Sequence, residues 1–118
     1  MVRGTIILTL FPFTDLTSSK RRPAVVISKY SKYKTDVIVA FISSVIPNEL
    51  SETDLLFDSK RKDFLNSGLK KKSLIKLDKL ATLNKLIFSG ELGVVNYDTL
   101  TEIDKMLKIA LDLNKNSG

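Results

Sequence analysis

The segment Gly4 to Ser28 constrains this chain more than any other. An apolar run, Ile6-Ile7-Leu8-Thr9-Leu10-Phe11, is followed by a polar stretch, Thr14-Asp15-Leu16-Thr17-Ser18-Ser19. Then Lys20-Arg21-Arg22-Pro23 leads into Ala24-Val25-Val26-Ile27-Ser28. Two β-rich runs separated by a Pro/Asp/Ser-rich segment predict a hairpin with a long loop. Pro23 suits the opening of the second strand, where no ladder donor is needed. The loop then presents three fixed positive charges, and guanidinium groups offer planar paired donors to phosphate oxygens.

Further along, Asp36 to Ile42 is a nearly continuous run rich in β-branched residues and reads as a buried strand, ended by Ser43-Ser44. Pro47 biases Ile46 away from helix. Asp54 to Phe57 reads as a short strand, with a helical turn from Ser51 as the alternative. Asp63 to Asn66 fits one helical turn closed at Gly68. Ser73 to Leu80 alternates as a strand with a register break near Asp78. Ala81 to Asn84 and Leu92 to Val95 supply further strand candidates, broken by Gly90 and Gly93. In the last segment Thr99 and Glu102 form a capping-box pattern, and Leu100, Ile103, Leu107, Ala110 and Leu111 recur at helical spacing. Several short strands and one terminal amphipathic helix predict a small, mostly β barrel covered by a C-terminal helix.

With 118 residues the chain is expected to be a single domain, 1–118, with one modest core. No apolar run has the length that a membrane span needs, and no secretory leader is read after Arg3, so the expected place is the cytoplasm. Cysteine and histidine are both absent. Disulfides, thiolate nucleophiles, the common zinc sites and imidazole catalysis are therefore ruled out. No spacing of acids suggests a metal site, and no cofactor is expected.

The net charge of +6 favours a polyanionic partner. Its distribution says more. Between Leu16 and Thr35 stand six cations, Lys20, Arg21, Arg22, Lys29, Lys32 and Lys34, with no acid among them. Lys60-Arg61-Lys62 and Lys70-Lys71-Lys72 form a second cluster. The Lys70 to Lys72 run is read as a solvated face, and the first cluster as facing a ligand.

Phe11-Pro12-Phe13-Thr14-Asp15-Leu16, followed by Lys20-Arg21-Arg22-Pro23-Ala24-Val25-Val26-Ile27-Ser28, resembles the opening of the MazF/PemK-like toxin endoribonucleases of bacterial toxin–antitoxin pairs. Asp36 to Ser44 and Leu74 to Leu83 are similar to the family's later strands, so the resemblance covers nearly the whole chain. It implies a small SH3-like β-barrel of the MazF/PemK/CcdB toxin type, a homodimer, and an acidic antitoxin as partner. It also implies metal-independent, sequence-selective cleavage of single-stranded RNA, leaving a 2′,3′-cyclic phosphate and a 5′-hydroxyl. The family's catalytic arginine falls on Arg22, with Arg21 and Lys20 beside it for RNA phosphates. The family's strand-end hydroxyl falls on Ser43, where Ser replaces Thr and Ser44 is the alternative.

RNA cleavage by a ribose 2′-hydroxyl builds charge on nonbridging oxygens, which fixed cations stabilise. Proton transfer lacks an obvious agent. Asp15 is the sole acid in the first loop, where capping the turn competes with a role in the site. Phe13, Tyr30 and Tyr33 flank the basic stretch and are candidates for stacking on unpaired bases. Two other functions fit the same barrel: a non-catalytic toxin that binds DNA gyrase, and an inactive RNA-binding barrel.

Overall fold

The computed structural model describes residues 1–10 and 20–113. Asp15 and Phe13, with the rest of the loop from Phe11 to Ser19, lie outside the described residues. Among the described residues, the β-branched runs form strands β1 (Thr5–Thr9), β2 (Arg22–Val26), β3 (Asp36–Ser43), β4 (Asp54–Phe57), β5 (Ser73–Asn84) and β6 (Gly90–Val94). A one-turn helix α1 (Phe64–Ser67) precedes β5, and helix α2 (Tyr97–Ala110) follows β6. The strands make one curled antiparallel sheet in the order β4-β5-β3-β2-β1-β6, with β4 and β6 as its edges. The expected mostly β architecture with a C-terminal helix is therefore present.

Alternation along the strands divides the apolar residues between two faces. On one face Ile6, Val25, Ala40, Ile42 and Ile75 pack beneath Ile103 of α2, with Leu100, Met106 and Leu107 alongside. Ile7, Ala24, Val26, Val37 and Val39 occupy the other, packed by Met1, Phe41 and Phe88. Each fully buried isoleucine contributes about 1.5–3 kcal/mol relative to exposure. The amphipathic stripe read in α2 is thus what holds the helix on the sheet.

The register break expected near Asp78 is found there. Ala40 pairs with Leu80 but Phe41 pairs with Lys76, so β5 bulges over the residues between. The expected separate strand Ala81 to Asn84 is instead the continuation of β5 past that bulge. Gly90 opens β6, and Gly93 lies within it where the β1–β6 register shifts, Ile6 pairing with Gly93 but Ile7 with Glu91. The start of α2 also differs from expectation. Asn96 is the N-cap, its Oδ1 accepting from the Thr99 N–H at 2.9 Å. Thr99 is already inside the helix, and its hydroxyl donates to Asp63 Oδ2 at 2.8 Å. Glu102 pairs with Arg61, whose guanidinium lies 5.4 Å from the Phe57 ring centroid. Asparagine is at least as good a cap as threonine, and a buried acceptor at Asp63 draws the threonine inward.

Asp63 Oδ2 also accepts from the Asn96 N–H at 2.8 Å, so one buried carboxylate ties α1 to the start of α2. Asp63→Ala leaves both donors unsatisfied and is expected to lower stability by about 1–3 kcal/mol in urea unfolding; an unchanged midpoint would refute this role.

A second buried acid, Asp54, faces Lys76 across the β4–β5 register, with Oδ1 2.7 Å from Nζ. Burial by itself pushes this carboxyl up. The hydrogen bonds from Lys76 and Ser51 and the lysine charge outweigh it and hold the carboxyl below its ordinary value. A lowered folded value means that the pair's stabilisation is full above the unfolded carboxyl's pKa of about 3.9 and is lost as pH falls through the folded value. The stability gap between the protein and its Asp54→Asn variant, measured by urea unfolding, is expected to be widest near neutral pH and to narrow in acid. A gap independent of pH would contradict it.

Candidate functional site

Arg22 opens β2 opposite Thr9, and Pro23 follows it opposite Leu8. The β2–β3 register, continued two residues past Ala24↔Phe41, brings Arg22 level with Ser43 at the end of β3. The end of a hairpin and the end of its neighbouring strand thereby meet at one end of the sheet. There a groove of about 340 Å³ is lined by Lys20, Arg21, Arg22, Pro23 and Ser44, with Leu8 and Leu92 from β1 and β6. The loop between α1 and β5 completes it with Gly68, Leu69, Lys70, Lys71 and Ser73.

Arg22 is half-buried, and its Nε is fully buried with no hydrogen-bond partner among the described residues. Such a donor costs about 1–3 kcal/mol. Arg22 also lines the groove, so the guanidinium with this unsatisfied N–H stands beside any anion bound there. Arg21 is exposed and makes one long contact, Nη1 to the Ile87 carbonyl oxygen at 3.4 Å. Lys20 is exposed beside it.

The two candidate serines part company here. Ser43 Oγ accepts from the Val45 N–H at 3.1 Å, shaping the chain as it leaves β3. Ser44 is exposed and lines the groove.

Tyr30 and Tyr33 stand elsewhere. Tyr33, 86 % exposed, lines a larger recess of about 530 Å³ with Lys29, Lys34, Asp36 and Thr82. That recess is at the start of β3, on the order of 20 Å along the strand from Ser44. The half-buried Tyr30 has Lys85 Nζ 4.9 Å from its ring centroid. The groove at Arg22, smaller though it is, gathers the guanidiniums and an exposed serine, so it is the stronger candidate for anion chemistry.

Lys70 and Lys71, expected as part of a solvated face, line this groove. The signal for them was the brevity of the connection between the helix stop at Gly68 and the strand start at Ser73, which leaves the lysines little freedom to stray. Among the described residues no group of three or more carboxylates is placed to hold a metal ion. No described helix is long and apolar enough to cross a membrane.

Replacing the unsatisfied guanidinium by an apolar chain of similar length removes a standing cost. Arg22→Met is therefore expected to unfold at a urea midpoint no lower than that of the parent protein. A clear loss of stability would mean that Arg22 is a structural residue.

Residues 2–111 match the family described as PemK-like, MazF-like toxin of type II toxin–antitoxin systems. No curated sequence relative matches. Among solved structures, an endoribonuclease from a mycobacterial species, in complex with its cognate antitoxin, is similar with a TM-score of 0.72. It is 19 % identical, and the likeness covers 98 % of this chain and 99 % of that one. The Mycobacterium tuberculosis toxin MazF-mt6 is similar with a TM-score of 0.70 at 19 % identity, over 96 % of this chain and 100 % of that one. MazF from Deinococcus radiodurans follows at 0.69 and 17 % identity, with 94 % of each chain covered. At these identities the likeness establishes a shared fold.

Proposed function

The chain belongs to the PemK-like, MazF-like toxins of type II toxin–antitoxin systems, and from that premise we propose that it is a sequence-selective endoribonuclease acting on single-stranded RNA without a metal ion. The observation that carries this reading is Arg22, whose buried Nε has no partner among the described residues, lining a groove with Lys20, Arg21 and Ser44. In the proposed reaction a ribose 2′-oxygen bonds to the adjacent phosphorus and the 5′-oxygen leaves. The 2′-proton goes to a base, and the departing oxygen takes up a proton. The products are a 2′,3′-cyclic phosphate and a 5′-hydroxyl.

Arg22 acts on the phosphoryl oxygens. Charge on them grows toward the transition state, so a fixed cation beside that position lowers the barrier more than it strengthens ground-state binding. A strand-end hydroxyl, Ser44 by its place in the groove and Ser43 by the family resemblance, orients a nonbridging oxygen. Asp15 remains a candidate for the base. With neither histidine nor cysteine in the chain, proton transfer falls to a carboxylate, a lysine, a tyrosine or water.

In a cell the toxin acts in the cytoplasm as a homodimer, and an acidic antitoxin covers the cationic groove. Two similar structures are toxin–antitoxin complexes, one mycobacterial and one MazE–MazF from Deinococcus radiodurans, and the net charge of +6 suits such a partner.

The test is incubation of the purified protein and its Arg22→Ala variant with a long single-stranded RNA in excess chelator, with fragment ends sequenced. Cuts at a short recurring motif are expected from the parent, slowed about 10²–10³-fold in the variant. Intact RNA from folded protein, or equal cutting by the variant, would sink the proposal.

A further inference from the structure

Two segments far apart in sequence supply the cations of the groove. One is Lys20 to Arg22 at the start of β2. The other is the loop from Gly68 to Lys72 between α1 and β5. A lysine run on a surface is ordinarily a solvated, mobile feature. This one is built differently, because its backbone is fixed at both ends by buried serines.

Ser67 is fully buried. Its Oγ donates to the Phe64 carbonyl oxygen at 2.5 Å and accepts from the Leu69 N–H at 3.1 Å. At the other end the buried Ser73 hydroxyl donates to the Lys71 carbonyl oxygen at 2.8 Å. Gly68 sits at φ +76°, where a Cβ would come 2.2 Å from the Leu92 carbonyl oxygen, so the loop presses directly on β6. Lys70 and Lys71 are thus carried on an anchored segment, with their side chains exposed and lining the groove. The same groove also has an apolar part to its lining, Leu8, Pro23, Leu69 and Leu92, beside the hydroxyls of Ser44 and Ser73.

Cations from two segments and apolar side chains in one groove match the chemistry of a nucleotide in a strand, which presents a charged phosphate on each side of a flat, poorly hydrated ring. Resting on the nuclease reading, we infer that Lys70 and Lys71 are the second half of a phosphate clamp. They hold the RNA backbone on one side of the Arg22-bound phosphate while Lys20 and Arg21 hold it on the other. The unpaired base between these contacts lies against Leu69 and Leu92. Lys70 and Lys71 act in binding and placement and do not touch the breaking bond.

The experiment uses a fluorescent single-stranded RNA oligonucleotide containing one cut site, with binding read by anisotropy and cleavage by gel. The parent is compared with Lys70→Ala/Lys71→Ala and with Lys105→Ala/Lys108→Ala, which removes the same charge from exposed positions on α2 outside the groove. The clamp variant is expected to raise Kd and KM about tenfold and to flatten the dependence of log Kd on log salt by about 0.7 per lysine between roughly 50 and 200 mM salt. Its kcat is expected to stay within about twofold, whereas the α2 variant should match the parent. Stepping an abasic residue through the positions around the cut is expected to find one where parent binding weakens.

Unchanged affinity and salt slope in the clamp variant, or equal losses in the α2 variant, would overturn the inference while leaving the nuclease reading intact. Bound but uncut RNA whose affinity still falls in the clamp variant would overturn the nuclease reading and uphold the clamp.

Discussion

Two backbone approaches that admit only glycine decide where the groove can be. A Cβ on Gly93 would fall 2.0 Å from the Asn66 carbonyl oxygen, and one on Gly68 would fall 2.2 Å from that of Leu92. Any side chain at either place forces α1 away from β6. Gly68 carries a further constraint, since its positive φ is the left-handed stop that ends α1 and turns the chain toward β5. With α1 seated on β6, the loop that follows runs past Arg22. Without that contact the two cationic segments would have no reason to meet.

The surrounding polar contacts hold this arrangement in place. Asp63 links α1 to the start of α2, Arg61 reaches Glu102 of that helix, and Arg3 joins Asp104 at 2.5 Å while its Nε donates to the Ile27 carbonyl oxygen at 2.6 Å. These basic and acidic side chains are occupied in fixing elements to one another. Arg22 and Arg21 are placed differently: among the described residues Arg22 Nε has no partner and Arg21 makes one long contact. Positive charge in this protein is thus used in two ways: Arg3 and Arg61 pair with acids that fix elements to one another, and other cations line the groove. A chain in which stabilising contacts and groove-lining groups are separated in this way can carry an unsatisfied donor, because its cost is spread over a core that lies elsewhere.

Much of the architecture was legible beforehand because local chemistry dictates it. β-Branched runs, the Gly68 helix stop and the apolar stripe of α2 act over a few residues and survive in any context, and β2 starts one residue before the expected Pro23, at Arg22. The β5 bulge was also visible, since alternation fails where polar residues enter at Asp78 and Lys79. The cap of α2 was not. Thr99 and Glu102 carry the right pattern, but Asp63 and Arg61, 36 and 41 residues away, claim their side chains and leave Asn96 as the cap.

By itself, the order of residues determined a mostly β chain closed by a helix, a chemistry without histidine or cysteine, and an arginine-rich strand opening that a phosphate would find. It could not say which hydroxyl faces the groove, because Ser43 and Ser44 differ only in which side of a strand end they leave. Nor could it distinguish Lys70 and Lys71 from a solvated run, or show that Tyr33 opens onto a recess a strand's length from Arg22. Those are matters of sheet register and of the close contact between α1 and β6. Both join residues separated by tens of positions, and only packing in three dimensions settles distances of that kind.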